Sequence, residues 1–563
     1  MKWPFIGGSY AGRSLLANSS TTKNFLIEPE SKGQEPMLFG TPGYILTSTS
    51  TVGTALPIRG ILYPGNGNLV YCVQGRRLVS WNASTNVWTL LATTDMNATA
   101  GPVSMEINSA SGTSGQIVIC DGQGTWSWDI GTVTWASVSI LDSNTVCFID
   151  GRFIIDDQTN AGRFWYSDLY TASFTAFNFA TAEGSPDYTR AVLADRRELW
   201  LFGDQTTEIW FDTGDSNLPF QRSQGGFIQM GIAAPLTAKK FDNSVIWLAK
   251  NERGKGVVVR AGNGYQPEVV STPEINYVLG NDNYRIDDAY AMVFQIEGHE
   301  LYVLQLPTAG KTFVLDALSK EWTIWRSSTN DVHKILCVTQ AVPRSGETVG
   351  LQIGLSANDR SLYALSSKYY NDASAPIYRE RTTSNVQNSR ERVRITRFQI
   401  DVECGVPTTA QNRMLTTTVQ TTAVVPGNTV IKVVSAATAA IGQTIEIYMD
   451  SGRHHIAQVT AFNTAGQDTI TIDNPVTETA AIGQQVDTWL DASLTVEVSK
   501  DGGSTFRAAT TAIIGPVPLY RVILNKLGSS RDWVFRLKTS TYGPVRILGA
   551  YAKLWGEDRD EPG

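Results

Sequence analysis

The sequence predicts an all-β chain built around a repeated four-stranded unit, and three observations carry that expectation. Composition is the first. Of 563 residues, 10% are aromatic and only 18% charged, with 49 glycines. Aromatic, β-branched and turn-forming residues in this mix suit strands better than helices. The second observation is a recurring cassette, in which a strand ends, a turn follows, and Trp opens the next strand seven positions on. It reads Trp81-Asn-Ala-Ser-Thr-Asn-Val-Trp88, then Trp128-Asp-Ile-Gly-Thr-Val-Thr-Trp135, then Leu315-Asp-Ala-Leu-Ser-Lys-Glu-Trp322. The third is its spacing. Copies one and two stand 47 residues apart and copies two and three 187 apart, close to four further periods of the same length.

Each element of the repeat has a local reason. The Asn or Asp after the first strand can bond its own backbone and closes the turn. The Trp offers a large apolar plate to a neighbouring repeat. Hairpins fill the rest of each period. Leu69–Val73 pairs with Arg77–Trp81, Glu198–Gly203 with Thr207–Phe211, Ser244–Leu248 with Gly256–Arg260, and His299–Leu304 with Thr312–Asp316. One strand per period gives starts near Ile58, Gly101, Thr145, Tyr188, Ala233, Ile286 and Val332. Four strands per period and radial closure make a seven-bladed β-propeller over 58–376, since a ring buries faces that a lone blade exposes. A pair of β-sandwiches is the competing architecture.

The flanks differ in texture. Residues 1–57 are turn-rich and read as an N-terminal arm or docking segment. Arg379-Glu-Arg381 and Arg390-Glu-Arg-Val-Arg394 interleave charges and read as a solvated edge strand, with a phosphate-contact strip as the lesser alternative. Alternating strands in 377–405 and 491–556 predict a C-terminal β-sandwich. Between them, 406–490 is poor in Trp and repeats Ala439-Ala-Ile-Gly-Gln443 as Ala480-Ala-Ile-Gly-Gln484. This predicts a small inserted β domain with a duplicated unit. Residues 557–563 form a frayed tail.

Charge and cysteine usage narrow the function. A net charge of −7 disfavours a surface that grips nucleic acid. Cys72, Cys120, Cys147, Cys337 and Cys404 are widely spaced and read as buried thiols in a reducing compartment. No apolar leader opens the chain, and no apolar run reaches the ~18 residues of a membrane span, so no membrane anchor is expected.

Catalytic and metal signatures are weak. The histidines are His299, His333, His454 and His455. His299 reads as a turn histidine, and two adjacent histidines on a strand face opposite ways. No zinc spacing, phosphate-binding loop or nucleophile elbow occurs. The pairs Asp156-Asp157 and Asp287-Asp288 read as surface turns, because neighbours on a strand diverge. The sharpest motif is Ser499-Lys-Asp501-Gly-Gly503-Ser-Thr505-Phe506, an Asp-box pattern. Asp501 would bond backbone N–H groups, Gly503 would supply positive φ, and Phe506 would pack beneath. The box is common in sialidase propellers, but it is a turn device and not an active site. No catalytic, cofactor-binding or metal residues are assigned, and no cofactor is expected.

Short segments in matching order carry a resemblance. They include Gly8-Ser-Tyr10, Asn24-Phe-Leu-Ile-Glu-Pro-Glu30, Leu38-Phe-Gly-Thr-Pro-Gly43 and Phe148-Ile-Asp-Gly-Arg-Phe153. Strongest is Arg197-Glu-Leu-Trp-Leu-Phe-Gly-Asp-Gln-Thr-Thr-Glu-Ile-Trp210, followed by Gly226–Gly231, Asp242–Leu248, Gly264-Tyr-Gln-Pro267 and Glu297–Val303. The chain resembles the packaged-DNA stabilisation, or tail hub (nozzle), proteins of short-tailed bacteriophages. The resemblance implies a structural, non-enzymatic virion protein, assembled in the host cytoplasm. It implies a homo-hexameric ring below the portal-adaptor (head-to-tail connector) that retains packaged DNA and serves as a conduit for genome ejection. Tail fibres or tailspikes and a tail needle or plug would be partners, with double-stranded DNA passing through the lumen without sequence recognition. A net acidic ring suits a channel that must not trap DNA. The insert departs from the compact family pattern. A glycan-binding or sialidase-like β-propeller is the alternative function.

Overall fold

The computed structural model describes residues 1–554 apart from 32–34, 54, 66, 93, 99, 109–113, 139–141, 183, 216–218, 252–253, 328–331, 341–351, 357–358, 374, 386–390, 405–414, 438, 440, 442, 465–467, 491, 515–516 and 542. The expected tail 557–563, Arg390 and parts of the first Ala-Ala-Ile-Gly-Gln copy lie outside the described residues. The chain divides into two compact units, Ile45–Ser366 and Met1–Tyr44 with Ser367–Gly563.

The Ile45–Ser366 unit is a succession of antiparallel sheets, lettered A to G in chain order. Sheet A runs Ile58–Leu62, Leu69–Gln74, Arg77–Asn82, Val87–Leu90, and sheet B runs Ser104–Ile107, Gln116–Cys120, Thr125–Asp129, Thr134–Ser137. Sheets C and D occupy Val146–Thr181 and Thr189–Ile228 in the same order of neighbours. In sheet E, Gly231–Ile232 and Lys239–Phe241 both pair with Ser244–Asn251, which is followed by Gly254–Ala261 and Pro267–Val269. Sheet F spans Tyr290–Ile324. In sheet G, Ile335–Gln340, Gln352–Ser356 and Ser361–Ser366 are joined by the strand Gly43–Thr49, from Ile45 onward. The last sheet therefore takes its outer strand from the unit's N-terminal end. The backbone of Ser50 donates to Arg360 O at 2.9 Å just past that strand.

The first strands neighbour one another in a closed path. Ile58–Leu62 lies beside Ser104–Ile107, then Val146–Ile149, then Thr189–Asp195, which meets the turn Pro235–Thr237 of sheet E. Lys239–Phe241 lies beside Tyr290–Ile296, which lies beside Ile335–Gln340, and this returns to Ile58–Leu62. This is a β-propeller. The core fills the gaps between adjacent sheets: Trp200, Phe202 and Ile209 of sheet D meet Val245, Trp247 and Ala249 of sheet E. Each fully buried large side chain here is worth roughly 1.5–3 kcal/mol.

All three cassettes are the third-to-fourth-strand hairpins of their sheets, with Trp81 opposite Trp88, Trp128 opposite Trp135 and Leu315 opposite Trp322. Asn82 Oδ1 accepts from the Ser84 and Thr85 backbones, Asp129 Oδ1 from Thr132, and Asp316 from Leu318 and Ser319. Four residues after each, Asn86, Val133 and Lys320 adopt φ of 56°, 56° and 58°. The second and third copies stand on sheets B and F, four sheets apart, as the spacing predicted. Sheet C lacks the cassette because twelve residues, 167–178, join its last two strands.

The second unit overturns the N-terminal arm. Lys2–Trp3, Phe25–Glu28 and Met37–Gly40 are strands of a sheet with Val393–Cys404, Val517–Ser530 and Val545–Leu554. Thr21–Lys23 joins a facing set: Ala375–Thr382, Val534–Thr541, Ala492–Ser499 and Arg507–Ile514. Trp3, Phe5, Phe25, Ile27 and Leu38 fill the same core as Phe398, Trp533 and Phe535. These apolar side chains make residues 1–44 part of the sandwich. The unit beginning at Ile45, against an expected 58, follows from the outer strand of sheet G.

In the insert, Leu415–Thr418, Gln485–Leu490, Gln443–Tyr448, His454–Asn463, Thr469–Ile472 and Val430–Lys432 pair in that order. A bridge from Val419 to Val433 ties the last strand to the first, giving a closed barrel around Ile445, Ile447, Val459 and Ile470. Its two copies pair with each other: Glu446 sits opposite Asp487, and Val430 opposite Thr471.

Candidate functional site

Two-residue turns join the first two strands of several successive sheets. They are Asp150-Gly151, Arg196-Arg197, Asp242-Asn243 and Glu297-Gly298, each with φ positive at both positions, as such tight hairpins demand. The turns are tied to one another. Arg197 Nε donates to Asp150 Oδ1 at 3.1 Å, Arg196 donates to Asn243 O, and the Asp242 backbone donates to Glu300 Oε2 at 3.2 Å. They therefore form a polar chain across sheets C to F on the turn face of the propeller.

Between sheets D and E this chain borders a cleft of about 730 Å³. Its walls carry Glu198 and Trp200 from sheet D and Asp242, Arg260, Tyr265 and Glu268 from sheet E. Tyr265 Oη donates to Glu198 Oε1 at 2.5 Å, and this carboxylate, with burial, pushes the phenol up to about 12. Arg260 pairs with Asp242 at 2.8 Å. Sequence reasoning assigned no role to these residues. A signal existed nonetheless, since Arg197–Trp210 and Gly264–Pro267 were both singled out as segments of the resemblance.

The Asp-box residues come together in the other unit. Ser499 Oγ donates to Asp501 Oδ1 at 2.6 Å and accepts from the Gly503 backbone at 2.9 Å. Asp501 accepts from the Thr505 backbone and hydroxyl at 2.9 and 2.5 Å. The Ser499 and Thr505 hydrogen bonds hold Asp501 down to about 2. Gly502 and Gly503 have φ of 70° and 97°. Phe506 is half-buried, with the Arg536 guanidinium stacked 3.7 Å from its ring centroid. The arrangement spends both carboxylate oxygens on closing a hairpin.

Three expectations about charged groups need correction. His299 is a buried residue paired with Asp316, not a loose turn histidine. Asp156 and Asp157 are buried, not surface turns. Asp156 accepts from Asn144 and Thr145 backbones at 3.0 and 2.7 Å, and Asp157 from the Trp165 indole at 3.0 Å. Burial still pushes the Asp156 carboxyl up to about 6. Arg379, Glu380 and Arg381 are buried, not solvated. Arg381 donates to Phe5 O, Gly8 O, Ser20 Oγ and Thr22 Oγ1 at 2.6–3.0 Å, and Lys23 pairs with Glu380 at 2.9 Å. The remaining assignments fit more simply. Asp287 is exposed and pairs with Arg285 at 2.9 Å, and Asp288 accepts from Thr308. His454 and His455 take separate partners, Glu446 and Asn474 O. His333 is buried against Trp325. Cys72, Cys120, Cys147 and Cys337 are free thiols. No group of three or more His, Cys, Asp or Glu side chains able to hold a metal occurs among the described residues.

A family model described as bacteriophage P22 Gp10, β-propeller, matches residues 1–339, more than half of the chain. The chain belongs to this phage family. The matched span takes in the N-terminal sandwich strands as well as the propeller sheets through F. No curated protein matches in sequence. Among solved structures, the chain is similar to the N-terminal domain of Nup159, with 11% identity, a TM-score of 0.38, and coverage of 62% of this chain and 99% of that one. It is also similar to the extracellular domain of BT4673 from B. thetaiotaomicron, with 8% identity, a TM-score of 0.38, and coverage of 76% and 47%. The family is one of structural phage proteins, so the chain is a bacteriophage β-propeller protein. No helix among the described residues is long and apolar enough to cross a membrane.

Proposed function

We propose that the chain is the tail hub, or nozzle, of a short-tailed phage. Six copies form a ring below the portal-adaptor, retain the packaged genome, and give it a conduit on ejection. Its propeller has seven blades, and fibres or spikes and a tail needle dock on the ring. Family membership carries this reading.

The physical construction supports it. A part of a conduit must resist load without unfolding, and this propeller is stapled on both sides of its first sheet. Arg59 is 3% exposed and donates to four backbone carbonyls: Gly75 on its own sheet and Ala98, Ala100 and Gly101 leading into sheet B, at 2.6–3.0 Å. At the other end of the ring, the Ile58 backbone donates to Asp359 O of sheet G at 3.1 Å. Buried hydrogen bonds to a charged group are among the stronger ones, and removing a partner strands the rest.

Electron microscopy of the chain co-expressed with its cognate portal-adaptor tests the proposal. A six-fold ring of this protein on the adaptor is the expected image. A chain that stays monomeric beside an assembled adaptor would refute the hub reading.

A further inference from the structure

We propose that the outer face of the sandwich sheet carrying Val393–Cys404 is a contact surface for the phosphate backbone of duplex DNA. The identity of the polyanion rests on the hub reading. The surface itself rests on charge and strand register.

The sequence around Arg394 reads as a solvated edge strand, with a phosphate-contact strip as the lesser alternative. Val393–Cys404 is no edge, for it runs between Val517–Ser530 and Val545–Leu554. Ile395, Phe398, Val522, Leu524, Ala550 and Ala552 of these strands fill the core. Alternation therefore turns Arg394, Arg397, Asn525, Tyr551 and Lys553 to the outer face, and all five are exposed. Arg397 has Asn525 on one side and Lys553 on the other, and Arg394 lies opposite Ser529. Lys526 adds an exposed ammonium next to Asn525. Residues 393–399, 523–530 and 549–554 hold these four cations and no acid. Further along the same strands the charges balance: Asp401 faces Arg521 at 3.8 Å, and Glu403 faces Arg546 at 3.2 Å. The net charge of −7 is an average from which this end of the sheet departs.

The layout suits an extended polyanion. The cations stand on an open face and not in a pocket, so a lone phosphate would meet only one or two of them. Arg394 and Arg397 are about 10 Å apart along their strand, and Lys553 flanks Arg397 at about 5 Å. Each strand of a duplex carries one charge per ~3.4 Å of axis, so a backbone laid along this row brings about three phosphates within reach. Asn525 and Ser529, set among the cations, are of the side-chain types that donate to phosphate oxygens. A face several strands wide cannot enter a groove ~12 Å across, so the contact reads no bases. Tyr551 is the one outward aromatic side chain of these stretches, whereas single strands need successive stacking platforms.

Fluorescence anisotropy of the full chain with labelled duplexes of two unrelated sequences tests the surface. Both duplexes should bind in about 50 mM salt, with a log–log salt slope near −3 from about 0.9 per phosphate. Replacing Arg394→Gln, Arg397→Gln and Lys553→Gln together should weaken binding at least ~tenfold and bring the slope toward zero. A control triple, Arg77→Gln, Arg285→Gln and Arg453→Gln, removes the same charge from exposed arginines on other sheets and should bind nearly as the parent does. Thermal unfolding verifies that both triples fold, and the parent's own slope counts the phosphates without them. The surface is overturned by no duplex binding in low salt, by equal loss in the two triples, or by phosphatidylglycerol vesicles binding this face in the duplex's place. A chain that forms the ring and binds no duplex sinks this surface alone. A monomer that binds duplex through these side chains sinks the hub alone.

Discussion

His299 Nδ1 lies 2.9 Å from Asp316 Oδ2, and the two side chains are 1% and 3% exposed. Asp316 is also the turn residue of the third cassette, accepting from the Leu318 and Ser319 backbones. One carboxylate thus closes a hairpin and anchors the start of the neighbouring strand, His299–Leu306. Burial works against its charge, and the His299 and Ser319 hydrogen bonds outweigh it, so Asp316 sits below the usual carboxylate range. Asp316→Ala is expected to cost about 3 kcal/mol, because it removes the carboxylate partner of a buried histidine and opens the turn. Asp316→Asn keeps an acceptor for the turn and should cost less. Urea unfolding followed by tryptophan fluorescence checks both, and equal losses would show that the turn contributes nothing.

Arg381 is the counterpart in the other unit, holding the loop between Phe5 and Thr22 from a strand some 360 positions away. Its guanidinium fork matches several oxygens at once, which a lysine ammonium cannot reproduce. Arg381→Ala should cost about 3 kcal/mol, since it strands several buried oxygens, and free the backbone of residues 5–22 for amide exchange. Arg381→Lys should recover part of the stability with exchange still raised. Unchanged protection in the alanine variant would mean that the apolar contacts of Trp3 and Phe5 hold this segment unaided.

These two pairs show what was legible in the sequence. The cassettes could be read because each is closed by local bonds: Asn82, Asp129 and Asp316 find their donors two or three residues on, and the spacing survives in the chain. The hairpins followed from alternation for the same reason. Arg379–Arg381 could not be read, since the partners that bury them lie hundreds of residues upstream and interleaved charge looks alike on a wet edge and in a clamp. The cleft failed for a related reason. Glu198 and Tyr265 meet only after sheets D and E pack, and each alone is an ordinary strand or loop residue.

His333 predicts an acid response. Burial drives its imidazole down to about 4 from 6.5, with the Ile335 backbone hydrogen bond working weakly the other way. Between those values the unfolded chain binds a proton that the folded chain refuses. Unfolding therefore becomes easier as pH falls from 6.5 to 4, by up to about 3 kcal/mol, and the loss levels off below 4. His333→Gln removes this proton, so its stability should vary less across that window than the parent's. Denaturant titrations at several pH values make the comparison, and parallel curves would rule out His333 as the source.

Val133 is at odds with its conformation. It is 68% exposed, so packing does not hold it, and its φ is 56°. A β-branched side chain in that left-handed region is strained by roughly 1–2 kcal/mol. The first cassette places Asn86 at the same point, with the same φ, and asparagine tolerates it well. Asn86 also accepts from the Trp81 indole at 2.9 Å. Val133→Asn should therefore stabilise the propeller by about 1 kcal/mol, through relief of backbone strain. The reverse exchange, Asn86→Val, should destabilise it by more, since it adds the strain and strands an indole donor. Thermal unfolding of the two variants measures both. A stabilised Asn86→Val or a destabilised Val133→Asn would show that the turn conformation is not what separates the copies.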